Sequence, residues 1–155
     1  MQLRDFELGD LDAVLRLDLE AFEPELIRLF GTSHPPDLYS IPEAYQLDGA
    51  FLIGLVNDEV VATGGVMRSQ GGVFELRRMR VAIAHQRHGY GRLMARALEE
   101  RVLALGGTAI KLDTTIQQIA AQRFYESEGY VETARGQLTN ERGKFDVVYY
   151  KKELV

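Results

Sequence analysis

The chain has 155 residues and no cysteine. That excludes disulfides, thiolate metal sites and any cysteine nucleophile, and it fits a reducing compartment. There is no long apolar run near the start, where Met1-Gln2-Leu3-Arg4-Asp5 begins a polar–apolar alternation. The expectation is no secretory signal, no membrane span and a cytoplasmic protein. A third absence is local: between positions 77 and 96 there is no acidic residue, but there are six arginines, at 77, 78, 80, 87, 92 and 96.

What is present is ordinary for one globular domain spanning 1–155, with 46% hydrophobic and 26% charged residues. A net charge of −5 argues against a general nucleic-acid partner. The charge is uneven. Residues 1–50 hold eleven Asp and Glu against three Arg. The basic block suits a polyanionic ligand, and the acidic N-terminal third leans toward a cationic second ligand, with Glu20, Glu23, Glu25 and Asp37 its first candidate contacts.

The most informative stretch is His85-Gln86-Arg87-His88-Gly89-Tyr90-Gly91-Arg92. It follows an apolar run and opens a helical pattern over 91–105. A helix N-terminus has unpaired N–H groups and a positive dipole end. Glycine lets the backbone approach a phosphate closely. His85 and His88 are spaced three apart, but without further ligands they read as loop histidines near phosphate rather than a metal site. A dinucleotide fingerprint would want glycine where Met94 stands, and a P-loop would want Gly-Lys-Ser/Thr, which is absent.

Hydrophobic periodicity predicts strands over 2–6, 50–56, 60–68, 73–83, 109–114, 130–133 and 145–151. It predicts helices after Asp10, with Leu11, Leu15, Leu19 and Phe22 on one face, and over 24–30, 91–105 and 119–127. A helical turn is expected near 41–48, and a polar loop around 136–144. Met67, Met79 and Met94 read as core filler, and Tyr149-Tyr150 as straddling the last strand. The class is α/β: an antiparallel meander running into a β-α-β unit.

Four segments carry a specific resemblance. They are Glu75-Leu76-Arg77-Arg78-Met79-Arg80-Val81, Gln86-x-x-Gly89-x-Gly91, Leu112-Asp113-Thr114 and Ala121-x-x-x-Tyr125-Glu126-x-x-Gly129-Tyr130. Together they resemble the GNAT superfamily of acyl-CoA-dependent N-acyltransferases. The resemblance implies a mixed, mostly antiparallel sheet of six to seven strands, about four flanking helices and a splayed central strand pair. It implies acetyl-CoA as co-substrate, a small-molecule or peptide amine as acceptor, a possible homodimer, and no metal, nucleic-acid or membrane partner.

By the same resemblance, Gln86, Arg87, His88, Gly89, Tyr90, Gly91 and Arg92 would hold the pyrophosphate. Met79, Arg80 and Val81 would carry the pantetheine arm along their strand, an N–H near Val81 polarising the thioester carbonyl. Gln118, Ala121 and Tyr125 would complete the cofactor site. Many members carry Asn where this chain has Gln118, which offers the same kinds of hydrogen bond with a longer reach. Glu75 is the expected base, because Phe74 and Leu76 point to the opposite strand face. Tyr125 is the expected acid toward the leaving thiolate. The alternative function is an acyl-CoA-binding sensor of the same fold without transferase activity.

Overall fold

A computed structural model describes residues 1–20 and 24–155. Phe22 and Glu23 lie outside the described residues. Seven strands form one sheet: β1 (Gln2–Asp5), β2 (Gly49–Val56), β3 (Glu59–Gln70), β4 (Val73–Val81), β5 (Ala109–Thr115), β6 (Val131–Asn140) and β7 (Gly143–Glu153), in the order β1-β2-β3-β4-β5-β7-β6. Every pairing is antiparallel except β4–β5. A parallel pair needs a crossover, and α3 (Tyr90–Ala104) supplies it. The other helices are α1 (Leu11–Glu20), α2 (Pro24–Phe30) and α4 (Ile119–Ser127).

The β2–β3 hairpin turns on Asn57 and Asp58, both at positive φ, at 49° and 63°. Two such residues suit the twist of a two-residue hairpin. One face of the sheet packs on α3, where Met94, Leu98 and Val102 meet Phe74, Ile110 and Val148. The other face packs on α1 and the turns over 36–46, through Val14, Leu38, Ile41, Tyr45, Phe51 and Ile53. Tyr150 is buried and Tyr149 half-buried, so the pair straddles β7.

Several boundaries depart from the sequence pattern. Leu11 and Leu15 of the expected stripe pack partly buried against the core, but the buried row of α1 is Val14, Leu17 and Asp18. The true inner row includes a carboxylate, which a hydrophobic stripe cannot reveal. Asp10 closes a helical turn ahead of α1; it accepts from the Glu7 N–H at 2.9 Å and pairs with Arg4. β4 ends at Val81, after which Ala82 makes the last ladder bond to Val61 and residues 83–85 turn. The expected polar loop at 136–144 is mostly strand. β6 is the sheet's edge and is exposed on nearly its whole length, so it shows no alternation to read.

Candidate active site

The site begins where two strands part. β4 and β5 pair at Val73–Ala109, Phe74–Ile110 and Glu75–Lys111, and no further. Beyond that point β4 stays with β3 as far as Val81–Ala62, and β5 stays with β7 as far as Thr115–Val147. The two central strands therefore open into a wedge. A cavity of about 570 Å³ fills it, lined by Glu75, Arg77 and Arg80 of β4, Asp113 and Thr115 of β5, and Tyr125 of α4. A second cavity of about 310 Å³ shares Glu75, Leu112 and Asp113 with the first.

The wedge coincides with a β-bulge. Thr63 faces Arg80 and Gly65 faces Arg77, so Arg78 and Met79 together oppose Gly64. The extra residue bends the strand away from its neighbour. Arg78 sits at φ 57°. Gly64 gives room underneath: a side-chain carbon there would lie 2.9 Å from the Met79 sulfur and 2.8 Å from Leu98. Arg78's carbonyl accepts from the Thr63 hydroxyl at 2.8 Å. In a planar trans peptide the N–H points opposite the C=O, so the Met79 N–H faces away from β3. Beyond the bulge, Ala82 bonds to β3, so by alternation the Val81 N–H also faces the wedge. Two backbone donors thus line the slot.

At the end of β4 lies the glycine turn. Gly89, at φ 79°, caps α3 with no side-chain cap, and the first turn carries no acid. Its N–H groups are available to an anion. His88 Nδ1 contacts the carbonyls of Gln86 at 2.8 Å and His85 at 3.2 Å. Both partners are acceptors, so Nδ1 carries a proton. His85 and His88 stack on Tyr90, with ring centroids 6.3 and 5.6 Å apart. The Gln86 amide donates to the Val81 carbonyl at 3.2 Å, tying the turn to the strand. Arg87 reaches φ 63° in the turn. Arg92 is committed sideways, donating to Glu128 at 2.6 Å, and the Glu128 side chain is only 3% exposed.

Tyr125 is buried, edge-on to Phe124 at 5.2 Å and Tyr130 at 5.5 Å. Burial pushes its phenol up to about 12, with the Arg80 charge working the other way. Gln118 turns its carbonyl oxygen inward, accepting from Thr114 Oγ1 at 2.9 Å, Thr115 Oγ1 at 3.0 Å and the Thr115 N–H at 3.2 Å. Only its amide nitrogen is left to face a ligand. Gln118 and Ala121 both line the main cavity beside Tyr125.

The acids of the cavity differ in company. Glu75 accepts from Arg77 Nε at 2.9 Å. Asp18 pairs with Arg80 at 3.3 Å and contacts His34 at 3.2 Å. Asp113, which the motif Leu112-Asp113-Thr114 contained without a role, has no ion pair among the described residues. Asp113 is exposed at its surface, yet partial desolvation by the surrounding strands raises its carboxyl above the ordinary value and the neighbouring Glu75 charge adds to this, while Arg77, Arg78 and Lys111 oppose it. The signal for Asp113 was strand alternation: it lies two residues past Lys111, the partner of Glu75, and so on the same face.

Five of the acids in the N-terminal third are taken up in ion pairs, while Glu7, Asp12 and Glu43 are exposed. Asp5 pairs with Arg101, Asp10 with Arg4, Asp18 with Arg80, Asp37 with Arg78 and Asp48 with Arg68. Glu20 and Glu25 are exposed, Glu23 is outside the described residues, and Asp37 is taken up internally. The basic block also divides: Arg77, Arg78 and Arg80 line the cavity, whereas Arg87, Arg92 and Arg96 lie by the turn and along α3. The far wall of the cavity is apolar, with Phe30 edge-on to Phe145 at 5.0 Å. Among the described residues no group of three or more His, Asp or Glu is placed to hold a metal. No described helix is long and apolar enough to cross a membrane.

Comparison with known proteins places this geometry. Residues 12–130 match the acetyltransferase (GNAT) family. The chain is similar in structure to a GNAT-family acetyltransferase from Staphylococcus aureus Mu50, at 21% identity, with 99% of each chain covered and a TM-score of 0.81. It is similar to a Salmonella typhimurium protein solved with its cofactor acetyl-CoA, at 20% identity, covering 100% of this chain and 94% of that one, with a TM-score of 0.79. It is also similar to the ribosomal-protein-S18-alanine N-acetyltransferase of Escherichia coli, at 17% identity, covering 99% and 93%, with a TM-score of 0.78. A comparison with curated proteins gave no match. At these identities the structural likeness speaks for the fold, while the family match spans most of the chain. The parted strands, the glycine turn and the match over 12–130 lead to one conclusion: this chain belongs to the GNAT acetyltransferase family.

Proposed function

We propose that this protein transfers the acetyl group of acetyl-CoA to a primary amine of a small molecule, amino acid or peptide, by direct attack in a ternary complex. One observation carries the reading. The wedge between β4 and β5 has a carboxylate on each strand, Glu75 and Asp113, the Tyr125 phenol on α4, and the Met79 and Val81 N–H groups of β4 turned away from β3. The phosphates would sit on the N–H groups of the first turn of α3, and the pantetheine arm would run along β4. Gln86 releases the Val81 carbonyl if the arm takes that bond.

The Met79 and Val81 N–H groups would then stabilise the negative charge that develops on the thioester oxygen. An alkyl amine has a pKa of ~10.4 and needs a proton acceptor at neutral pH. Glu75 is the first candidate, with Arg77 fixing its orientation. Asp113 is a second reading, favoured by its lack of an ion pair among the described residues and by its raised carboxyl. Tyr125 stays protonated at neutral pH, so it can donate to the leaving sulfur. Against a thiol of ~8.5, full transfer from this phenol is uphill. Its contribution is a hydrogen bond that strengthens as charge builds on the sulfur.

The acceptor end of the cavity joins the aromatic pair Phe30–Phe145 to a floor of paired charges. That favours amines with an apolar portion over purely polycationic ones. Release of free thiol from acetyl-CoA, measured across a panel of amines, tests the function. Amine-dependent release that falls about 100-fold in Glu75→Gln or Asp113→Asn supports it. Tight CoA binding with no amine-dependent release would favour a sensor domain of the same fold.

A further inference from the structure

We infer that Asp37 and Tyr45, acting through Arg78, are positioning residues that fix the Met79 amide at the acyl slot; this rests on the transferase reading above. Arg78 is the first residue of the bulge and lies at φ 57°. Bulges with a left-handed first residue normally place glycine there. An arginine in that region is strained and persists only where its surroundings hold it.

Arg78 is held at both ends. Its guanidinium makes a two-pronged contact with Asp37, Nε to Oδ2 at 2.9 Å and Nη2 to Oδ1 at 2.6 Å. Its carbonyl accepts from Thr63. Asp37 lies on the helical turn Pro36–Tyr39, and the fully buried Tyr45 donates its hydroxyl to the same carboxylate at 2.5 Å. Arg78 and Tyr45 hold the Asp37 carboxyl below its usual range even though burial opposes this. The pair is thus far from a loose surface contact.

The geometry gives this clamp a consequence at the slot. The Arg78 side chain is drawn to the α1 face, while Met79 packs under α3 against the core. The peptide joining them is pinned by Thr63, and its N–H is the Met79 donor that faces the wedge. A donor must lie close to where the oxyanion forms, and a misplacement of about 1 Å is enough to cost about 100-fold in rate. Asp37 and Tyr45 touch no reacting atom; they act on where that N–H stands.

The test compares Asp37→Asn, Tyr45→Phe, Arg78→Ala and Arg78→Gly with the parent protein. Three quantities are measured: steady-state kcat, CoA affinity by calorimetry, and the infrared carbonyl band of bound ¹³C-labelled acetyl-CoA without amine. Asp37→Asn lowers kcat by about tenfold or more. CoA affinity stays within about twofold, because free CoA has no thioester carbonyl for the Met79 N–H to polarise. The bound carbonyl band moves back toward its position in solution. Arg78→Gly retains more kcat than Arg78→Ala, since glycine reaches the left-handed conformation without strain. Parent-level kcat and an unchanged carbonyl band in Asp37→Asn would overturn the inference. So would parallel losses of kcat and CoA affinity, or Arg78→Ala matching Arg78→Gly. If the parent itself turns over no amine, the transferase reading fails instead, and the infrared band still decides on the clamp.

Discussion

Glu75 and Lys111 are the last residues at which β4 and β5 pair, and Asp113, two residues on, stands where the strands have already parted. The candidate base and its rival carboxylate therefore flank the point of the wedge. Glu75 has an arginine in contact; Asp113 has none among the described residues.

That asymmetry predicts different behaviour on removal of each charge. If Asp113 takes the proton, kcat/KM falls as pH drops through its raised pKa, and Asp113→Asn removes that limb of the profile. If Glu75 takes it, Glu75→Gln removes the limb and Asp113→Asn leaves it. Stability supplies a second readout. A carboxyl whose pKa is raised by folding stabilises the native state below its unfolded pKa, and this is lost as pH rises through the folded value. Because Asp113 is solvent-exposed and screened, Asp113→Asn raises the thermal midpoint at pH 7 only slightly, and the difference closes in acid.

Asp10 gives the opposite sign. Arg4 donates to it at 2.7 and 2.9 Å, and its carboxyl is held below the usual range. Its stabilisation is present above the unfolded pKa of ~3.9 and is lost as pH falls through the folded value. Asp10→Asn lowers stability at pH 7 by about 1–2 kcal/mol in urea titrations, and the gap narrows in acid.

At the turn, Gly89→Ala forces a side chain into φ 79°, although nothing lies within 4 Å of the new carbon. The cost is backbone strain, of about 1 kcal/mol or more. CoA affinity by calorimetry falls about fivefold to tenfold. Arg92→Ala acts differently. Among the described residues it leaves the buried Glu128 with the longer ion pair to Arg96, at 3.7 Å. Stability drops by about 1–3 kcal/mol, read as a lower urea midpoint.

On the acceptor side, Phe145→Ala removes the edge-on partner of Phe30. KM for an amine with an apolar side group rises about tenfold in steady-state assays, while KM for acetyl-CoA holds. Equal rises in both would place Phe145 in general support of the fold.

The parts that were legible in the sequence are those built on local rules. Gly89 in a turn before a helical pattern, Asn57-Asp58 between two strands, and the alternation of Phe74, Glu75 and Leu76 each follow from backbone chemistry over a few residues. What was hidden depends on distant partners. Asp18 occupies the inner row of α1 because Arg80 meets it there, and no hydrophobic stripe announces a buried ion pair. Arg78 in a bulge reads from sequence as one more basic residue, since Asp37 is 41 positions away. The pairing of Asp5, Asp18, Asp37 and Asp48 is not legible because their arginine partners at 101, 80, 78 and 68 lie in later strands and α3. The end of the β6–β7 hairpin, over 136–144, reads as loop because an exposed edge needs no apolar alternation.

The central claim is that the wedge between β4 and β5 receives the acyl end of acetyl-CoA. A crystal structure of the protein with CoA tests it most directly. The account predicts the pyrophosphate on the N–H groups at the start of α3 and the pantetheine arm along 79–81. It places the sulfur between the strands, within hydrogen-bond reach of the Tyr125 hydroxyl. A sulfur outside the wedge, or an arm lying in the second cavity with Tyr125 untouched, would contradict it.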